Sequence, residues 1–156
     1  MITMNQAAAA ARELRRCVKV LGFVGALVEN HVDGQFYDDE RFWPVFKTAQ
    51  ELDVPIYIHP CFPVENMVGY YKGNYGDSVA VALSAYGWSW HSETGPHILR
   101  IFASGLFDRF PGLKIVIGHY GRTSSVSARA HYHGVAEVGE DRAWSKRGVE
   151  QYLGHD

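Results

Sequence analysis

Cysteine is scarce. Only Cys17 and Cys61 occur in 156 residues, in unrelated surroundings, which excludes a disulfide framework and fits a reducing cytoplasm. Clustered positive charge is missing too: 15 Lys and Arg face 17 Asp and Glu, scattered along the chain for a formal net charge of −2. Without a basic stripe there is no electrostatic footprint for nucleic acid or an anionic membrane surface, so the expected partner is a small molecule or another protein chain. No apolar run reaches the roughly 20 residues of a membrane span. Met1-Ile2-Thr3-Met4-Asn5-Gln6 leads into alanines rather than into a charged segment followed by a long apolar one. The expectation is a cytoplasmic protein that neither crosses a membrane nor is secreted. What is present is 47% apolar and 13% aromatic, enough for one domain with a real core.

Two stretches organise that core. Val54-Pro55-Ile56-Tyr57-Ile58-His59-Pro60 is a β-branched and aromatic run that ends on His and Pro. Lys114-Ile115-Val116-Ile117-Gly118-His119-Tyr120-Gly121 repeats the pattern, ending in His beside small, turn-forming residues. Both read as buried strands with an imidazole at the C-terminal tip, where parallel α/β folds place their chemistry. If the strands are neighbours, two histidines share one rim.

The rest of the chain supports a parallel sheet. From Asn5, read as an N-cap, Ala7, Ala11, Leu14, Val18 and Leu21 recur at helical spacing, and Gly22 is the stop. Phe23 to Val28 reads as a strand with the polar tip Glu29-Asn30-His31, either a pocket lining or a solvated turn. Asp38-Asp39-Glu40 opens a second helix with Pro44 near its start and Asp53 near its end, so Phe23 to Pro60 forms a strand, helix, strand unit. Cys61 to Ser78 reads as a long loop rich in Gly and Tyr, a pocket wall or a packing insertion. A short helix is expected over Val79 to Tyr86 and a longer one from Thr94 or Gly95 to Phe107, with Pro96 in its first turn. Alternation of this kind means α/β with a parallel sheet. Beyond Gly121 the apolar stripe is lost, so residues 1–121 read as the folded part and 122–156 as a divergent polar tail of weak helical tendency.

Eight histidines are present, and most need no functional role. His131 and His133 have chelating spacing but no supporting carboxylate or thiol; His97, inside a helix, reads as a hydrogen-bonded packing residue; His91 and His155 carry no signal. His59 and His119 differ because each ends a buried strand, where an imidazole is held rigidly above the sheet.

Several segments together carry a family resemblance. Gly22 to Val28, Val54 to Pro60, Glu93-Thr94-Gly95-Pro96-His97-Ile98-Leu99-Arg100, Ala103 to Pro111 and Ile117-Gly118-His119-Tyr120-Gly121 resemble the amidohydrolase-related metal-dependent decarboxylases. That group contains the hydroxybenzoate (resorcylate-type) decarboxylases and aminocarboxymuconate semialdehyde decarboxylase. The resemblance covers roughly residues 7 to 121 in order. It implies a partial TIM (β/α)₈ barrel of the metal-dependent hydrolase superfamily, present here as its middle portion.

By the same resemblance His59 matches a metal-ligand histidine, for zinc or manganese, and His119 matches the histidine that protonates the substrate or activates metal-bound water. His31 aligns with a substrate-pocket histidine. The implied reaction is non-oxidative removal of CO₂ from an aromatic or unsaturated carboxylic acid, carried out in a homo-oligomer. Two alternatives stay open: a lactone-type hydrolase on the same fold, and a catalytically silent chain that associates through open sheet edges. The family's early Glu-x-His or His-x-His ligand pair and its late Asp ligand have no counterpart. Arg122 and a serine-rich run stand where the family carries a carboxylate and an apolar helix. That break reads as a fragment, or as a change of reading frame near Arg122.

Overall fold

In the computed structural model, residues 1–119 are described. The tail assigned to residues 122–156, with His131, His133 and His155, lies outside the described residues.

Helix α1 spans Ala7–Leu21, with Ala10, Ala11, Leu14 and Cys17 on its buried face. Gly22 ends it in the left-handed conformation (φ 72°), and the N–H groups of Gly22 and Phe23 both return to the Cys17 carbonyl, that of Phe23 at 3.1 Å. The start departs from expectation. Asn5 is not the cap, and Gln6, which precedes the helix, makes no side-chain cap bond. The upstream residues belong to the sheet side instead: the Ile2 N–H donates to the Leu27 carbonyl at 3.0 Å and Met4 is buried.

Strand β1 is shorter than the apolar run, Ala26–Glu29 rather than Phe23 onward, and Phe23 and Val24 are exposed. Gly25 sets that limit. A Cβ there would stand 2.8 Å from the Pro55 carbonyl oxygen, so the chain passes Pro55 at a distance only glycine allows. A 3₁₀ turn, Glu40–Phe42, capped by the Asp39 carboxylate on the Arg41 N–H (2.9 Å), leads into α2, Trp43–Leu52, with Pro44 in its first turn. Asp53 (φ 55°) closes α2 and β2 follows at Ile56–His59.

The expected loop over Cys61 to Ser78 is partly helical. Glu65–Tyr71 is 3₁₀, and α3, Asp77–Ala82, begins before Val79. Tyr71 anchors the segment from the inside: its hydroxyl donates to the Glu93 carboxylate and meets the Ser92 hydroxyl, each at 3.0 Å. Helix α4 runs Ser89–Ala103, starting earlier than the Pro96 signal indicates and holding Pro96 in its interior. Here tertiary contacts of the first turn outweigh the usual position of proline. Ser104-Gly105 (Gly105 φ 77°) then separates α4 from the short α5, Leu106–Arg109, before β3, Ile115–Ile117.

The strands pair in parallel in the order β1-β2-β3. Register aligns Val28 with Ile58 and Ile117, Leu27 with Tyr57 and Val116, and Glu29 with His59. Register partners share a face, so the sheet has two contrasting sides. On one, Val28, Ile56 and Ile58 are fully buried with Leu14, Phe46, Ala49, Ile101 and Leu106 from the helices. Each such aliphatic side chain stabilises the fold by about 1.5–3 kcal/mol. On the other side Leu27 and Tyr57 are only half-buried and Val116 is exposed. This is how a barrel interior looks when only some of its strands are in view. The α/β class, the element order and the parallel sheet agree with the sequence reading.

Candidate active site

Because β2 and β3 are parallel neighbours, their C-terminal ends form one rim, and both flagged histidines stand on it. His59 is the last residue of β2. His119 lies two residues past the end of β3, and Gly118 brings it close. The Gly118 N–H donates to the Ile58 carbonyl at 2.8 Å, and a Cβ at 118 would fall 2.9 Å from that oxygen and 2.7 Å from the Tyr57 ring. Only glycine fits there. His119 then takes φ 57°, and its imidazole stands nearly perpendicular to that of His59, centroids 5.1 Å apart.

Aromatic rings fix the pair. Tyr57 stacks on His59 at 6.5 Å, while Trp90 from the first turn of α4 presents an edge-to-face contact to His59 (5.9 Å) and to His119 (5.0 Å). His91, next on the same turn, places Nδ1 2.8 Å from the His119 carbonyl oxygen. The proton affinity of His119 is held below the ordinary imidazole range, first by desolvation and then by the neighbouring imidazoles His59 and His91. The shift favours the neutral ring, which has one nitrogen lone pair available and one N–H to give.

His31, at the tip of β1, is used differently. Nδ1 accepts from the Gly34 N–H at 3.3 Å, so Nε2 carries the proton and donates to the Phe62 carbonyl at 3.1 Å. The ring thereby ties the loop after β1 to the loop after β2 and rests on Phe36. Beneath it lies a buried relay. His97 Nε2 accepts from the Tyr37 N–H at 3.2 Å, and its Nδ1–H donates to Asn30 Oδ1 at 2.7 Å. His97 is thus the hydrogen-bonded packing residue expected from sequence, and burial drives its pKa down to about 3. Sequence reading missed Trp90 and His91 as site residues. The signal was the Trp88-Ser89-Trp90-His91 string, which places aromatic rings and an imidazole just ahead of a helix.

As to a metal, Glu29 is the register partner of His59. Among the described residues, however, no three His, Cys, Asp or Glu side chains converge closely enough to hold an ion. The rim supplies part of a ligand set, not a complete one. No helix among the described residues is long and apolar enough to cross a membrane.

Comparison with known proteins identifies the family. The decarboxylase orsB of Emericella nidulans is 49% identical over 113 residues, covering 72% of this chain and 34% of that protein. The gamma-resorcylate decarboxylase of Polaromonas sp. is 42% identical over 126 residues, covering 77% of this chain and 37% of its own. This chain spans about a third of the length of these curated relatives. The crystal structure of a dihydroxybenzoic acid decarboxylase from Polaromonas sp., with bound manganese and the inhibitor 2-nitroresorcinol, matches with a TM-score of 0.82 at 37% identity. That match covers 98% of this chain and 46% of the other. The family model described as Amidohydrolase matches residues 1–146. With a parallel sheet that carries paired imidazoles on its C-terminal rim, and with a family match over most of its length, the chain belongs to the amidohydrolase family and forms part of that family's barrel.

Proposed function

We propose that this chain provides the central part of a metal-dependent decarboxylase that removes CO₂ from an aromatic acid of the hydroxybenzoate type. The observation that carries the reading is the His59–His119 pair, 5.1 Å apart across adjacent strand ends, in a chain whose relatives are named decarboxylases. His59 is the metal-ligand residue in this reading, together with donors that the described residues do not supply. Manganese is favoured over zinc because the Polaromonas structure holds manganese. A bound divalent ion contributes a fixed positive charge that orients the acid.

The chain's own residues account for the proton. Loss of CO₂ from an aryl carboxylate leaves an electron pair on the ring carbon, which must gain one proton for the arene to form. His119 takes up one proton from solvent and delivers it to that carbon, returning to its neutral form; its lowered proton affinity makes the protonated ring a ready donor. Trp90 and Tyr57 line the pair with flat apolar surface suited to a planar ring. His31 is assigned to the substrate pocket through the loop it fixes against Phe62. The free cysteines Cys17 and Cys61 support placement in the cytoplasm, and the scattered charge supports a small-molecule partner rather than nucleic acid. A homo-oligomer remains part of this reading.

The test is to incubate the purified chain with manganese and 2,6-dihydroxybenzoate and to measure CO₂ and resorcinol in equal amounts. His119→Asn is expected to lower the rate by 100-fold or more, on the order of a lost general acid, and His59→Ala to abolish manganese retention. Absence of CO₂ above the chain-free control overturns the proposal, and ring opening of a lactone without CO₂ redirects it to the hydrolase.

A further inference from the structure

The segment ahead of α4 has no part in the reading above, yet it determines what reaches the rim. Leu83–Gly87 is a wide π-type turn broken at Ala85 (φ −127°, ψ −122°), a kink that redirects the chain. Helix α4 therefore starts at Ser89, and its first turn carries Trp90 and His91 to the pair of imidazoles. Trp90 meets the His119 ring at 5.0 Å. His91 meets its backbone: Nδ1 lies 2.8 Å from the His119 carbonyl oxygen.

A carbonyl only accepts, so His91 Nδ1 carries the proton and the neutral ring has its bare nitrogen at Nε2. The partner matters because His119 is left-handed at φ 57°, a conformation that a residue with a Cβ adopts only with support. Rotation about φ carries the His119 carbonyl and its side chain together, whereas ψ turns the carbonyl alone, so an anchored carbonyl restrains φ as well. A donor clamped on that oxygen restricts the backbone turn that swings the imidazole over His59.

We propose that His91 is a positioning residue for His119, its Nδ1–H bond to the His119 carbonyl holding the left-handed backbone that aims the catalytic ring at His59. This rests on the reading of His119 as the proton-carrying group, but its geometric part is separable from that reading.

The test uses the full chain labelled with ¹⁵N and ¹³C. At pH 8 the long-range imidazole spectrum is expected to show His91 as the Nδ1–H tautomer, the minor form of free histidine, and His119 Cα and Cβ shifts to report positive φ. In His91→Leu the positive-φ signature of His119 is lost while Val28 and Ile58 shifts stay in place. In His91→Asn, whose amide nitrogen stands where Nδ1 stood, the signature returns. Where wild-type chain releases CO₂, His91→Leu lowers kcat roughly tenfold or more with KM within about twofold, and His91→Asn recovers most of the loss. An Nε2–H tautomer at His91, or an unchanged His119 signature in His91→Leu, overturns the proposal. Should His91→Leu not fold, the wild-type tautomer and the His91→Asn spectrum decide. A wild-type chain that releases no CO₂ defeats the decarboxylase reading alone, since the tautomer and backbone measurements still judge the positioning role.

Discussion

The amide of Gly118 donates to the carbonyl of Ile58 at 2.8 Å, and this bond, one residue before His119 and one before His59, sets the spacing of the two imidazoles. It exists because residue 118 has no Cβ. Gly118→Ala would drive a methyl against the Ile58 carbonyl oxygen (2.9 Å) and the Tyr57 ring (2.7 Å). Tyrosine can shift its tip, but the carbonyl belongs to the sheet and cannot. The strand end must therefore lift away, carrying His119 with it. A stability loss of about 1–3 kcal/mol is expected, typical of overpacking, along with loss of most CO₂-releasing activity. Urea unfolding beside the decarboxylation assay checks both. Full activity in Gly118→Ala would show that the spacing of the imidazoles does not matter.

Among the described residues, Trp90 is the one side chain in ring contact with both His59 and His119. Edge-to-face aromatic pairs add about 0.5–1.5 kcal/mol beyond area burial, so Trp90→Ala removes two contacts and leaves both imidazoles less constrained. Calorimetric titration with manganese and 2-nitroresorcinol, the inhibitor bound by the Polaromonas relative, is expected to show roughly tenfold weaker affinity for Trp90→Ala. Trp90→Phe should retain most of it. Equal affinity in all three proteins would remove Trp90 from the ligand's surroundings.

How far the sequence revealed this site follows from which interactions are local. His59 and His119 were legible because an apolar strand ending in His-Pro or Gly-His is a short-range pattern, and because parallel strands necessarily bring their C-terminal ends to one rim. Strand and helix limits were less legible. Phe23 and Val24 have β-forming side chains but lie outside β1, since the close approach of Gly25 to Pro55 depends on a residue 30 positions away. Pro96 favours a first turn and so points to a later start for α4, whereas the true first turn is held by what Trp90 and His91 touch. The Asn30–His97 bond joins residues 67 apart and has no local signature. His31 could be flagged by position alone, but that both its nitrogens bind backbone was not readable from spacing.

That buried bond makes the fold sensitive to acid. His97 is fully buried, accepts from the Tyr37 N–H at Nε2 and donates from Nδ1 to Asn30. A proton added at Nε2 would break the Tyr37 bond and place an uncompensated cation in the core, with Arg100 and His31 adding repulsion, so the pKa falls to about 3. In the unfolded chain the same imidazole titrates near 6.5. Above that value both states are neutral and the full stability is present. As pH falls below it, the unfolded chain binds a proton that the folded chain refuses. Stability is therefore lost progressively from about pH 6.5 toward pH 3, at up to about 1.4 kcal/mol per pH unit. His119, also shifted down, contributes in the same direction, so the comparison must isolate His97. Urea unfolding at pH 7, 6 and 5 is expected to show a steep decline for wild type and a shallower one for His97→Gln, whose side chain does not titrate. The two sets of midpoints should converge toward low pH, even though the variant starts lower at pH 7 for want of one buried hydrogen bond. Parallel slopes would mean that His97 takes up a proton inside the folded protein, which its two hydrogen bonds forbid.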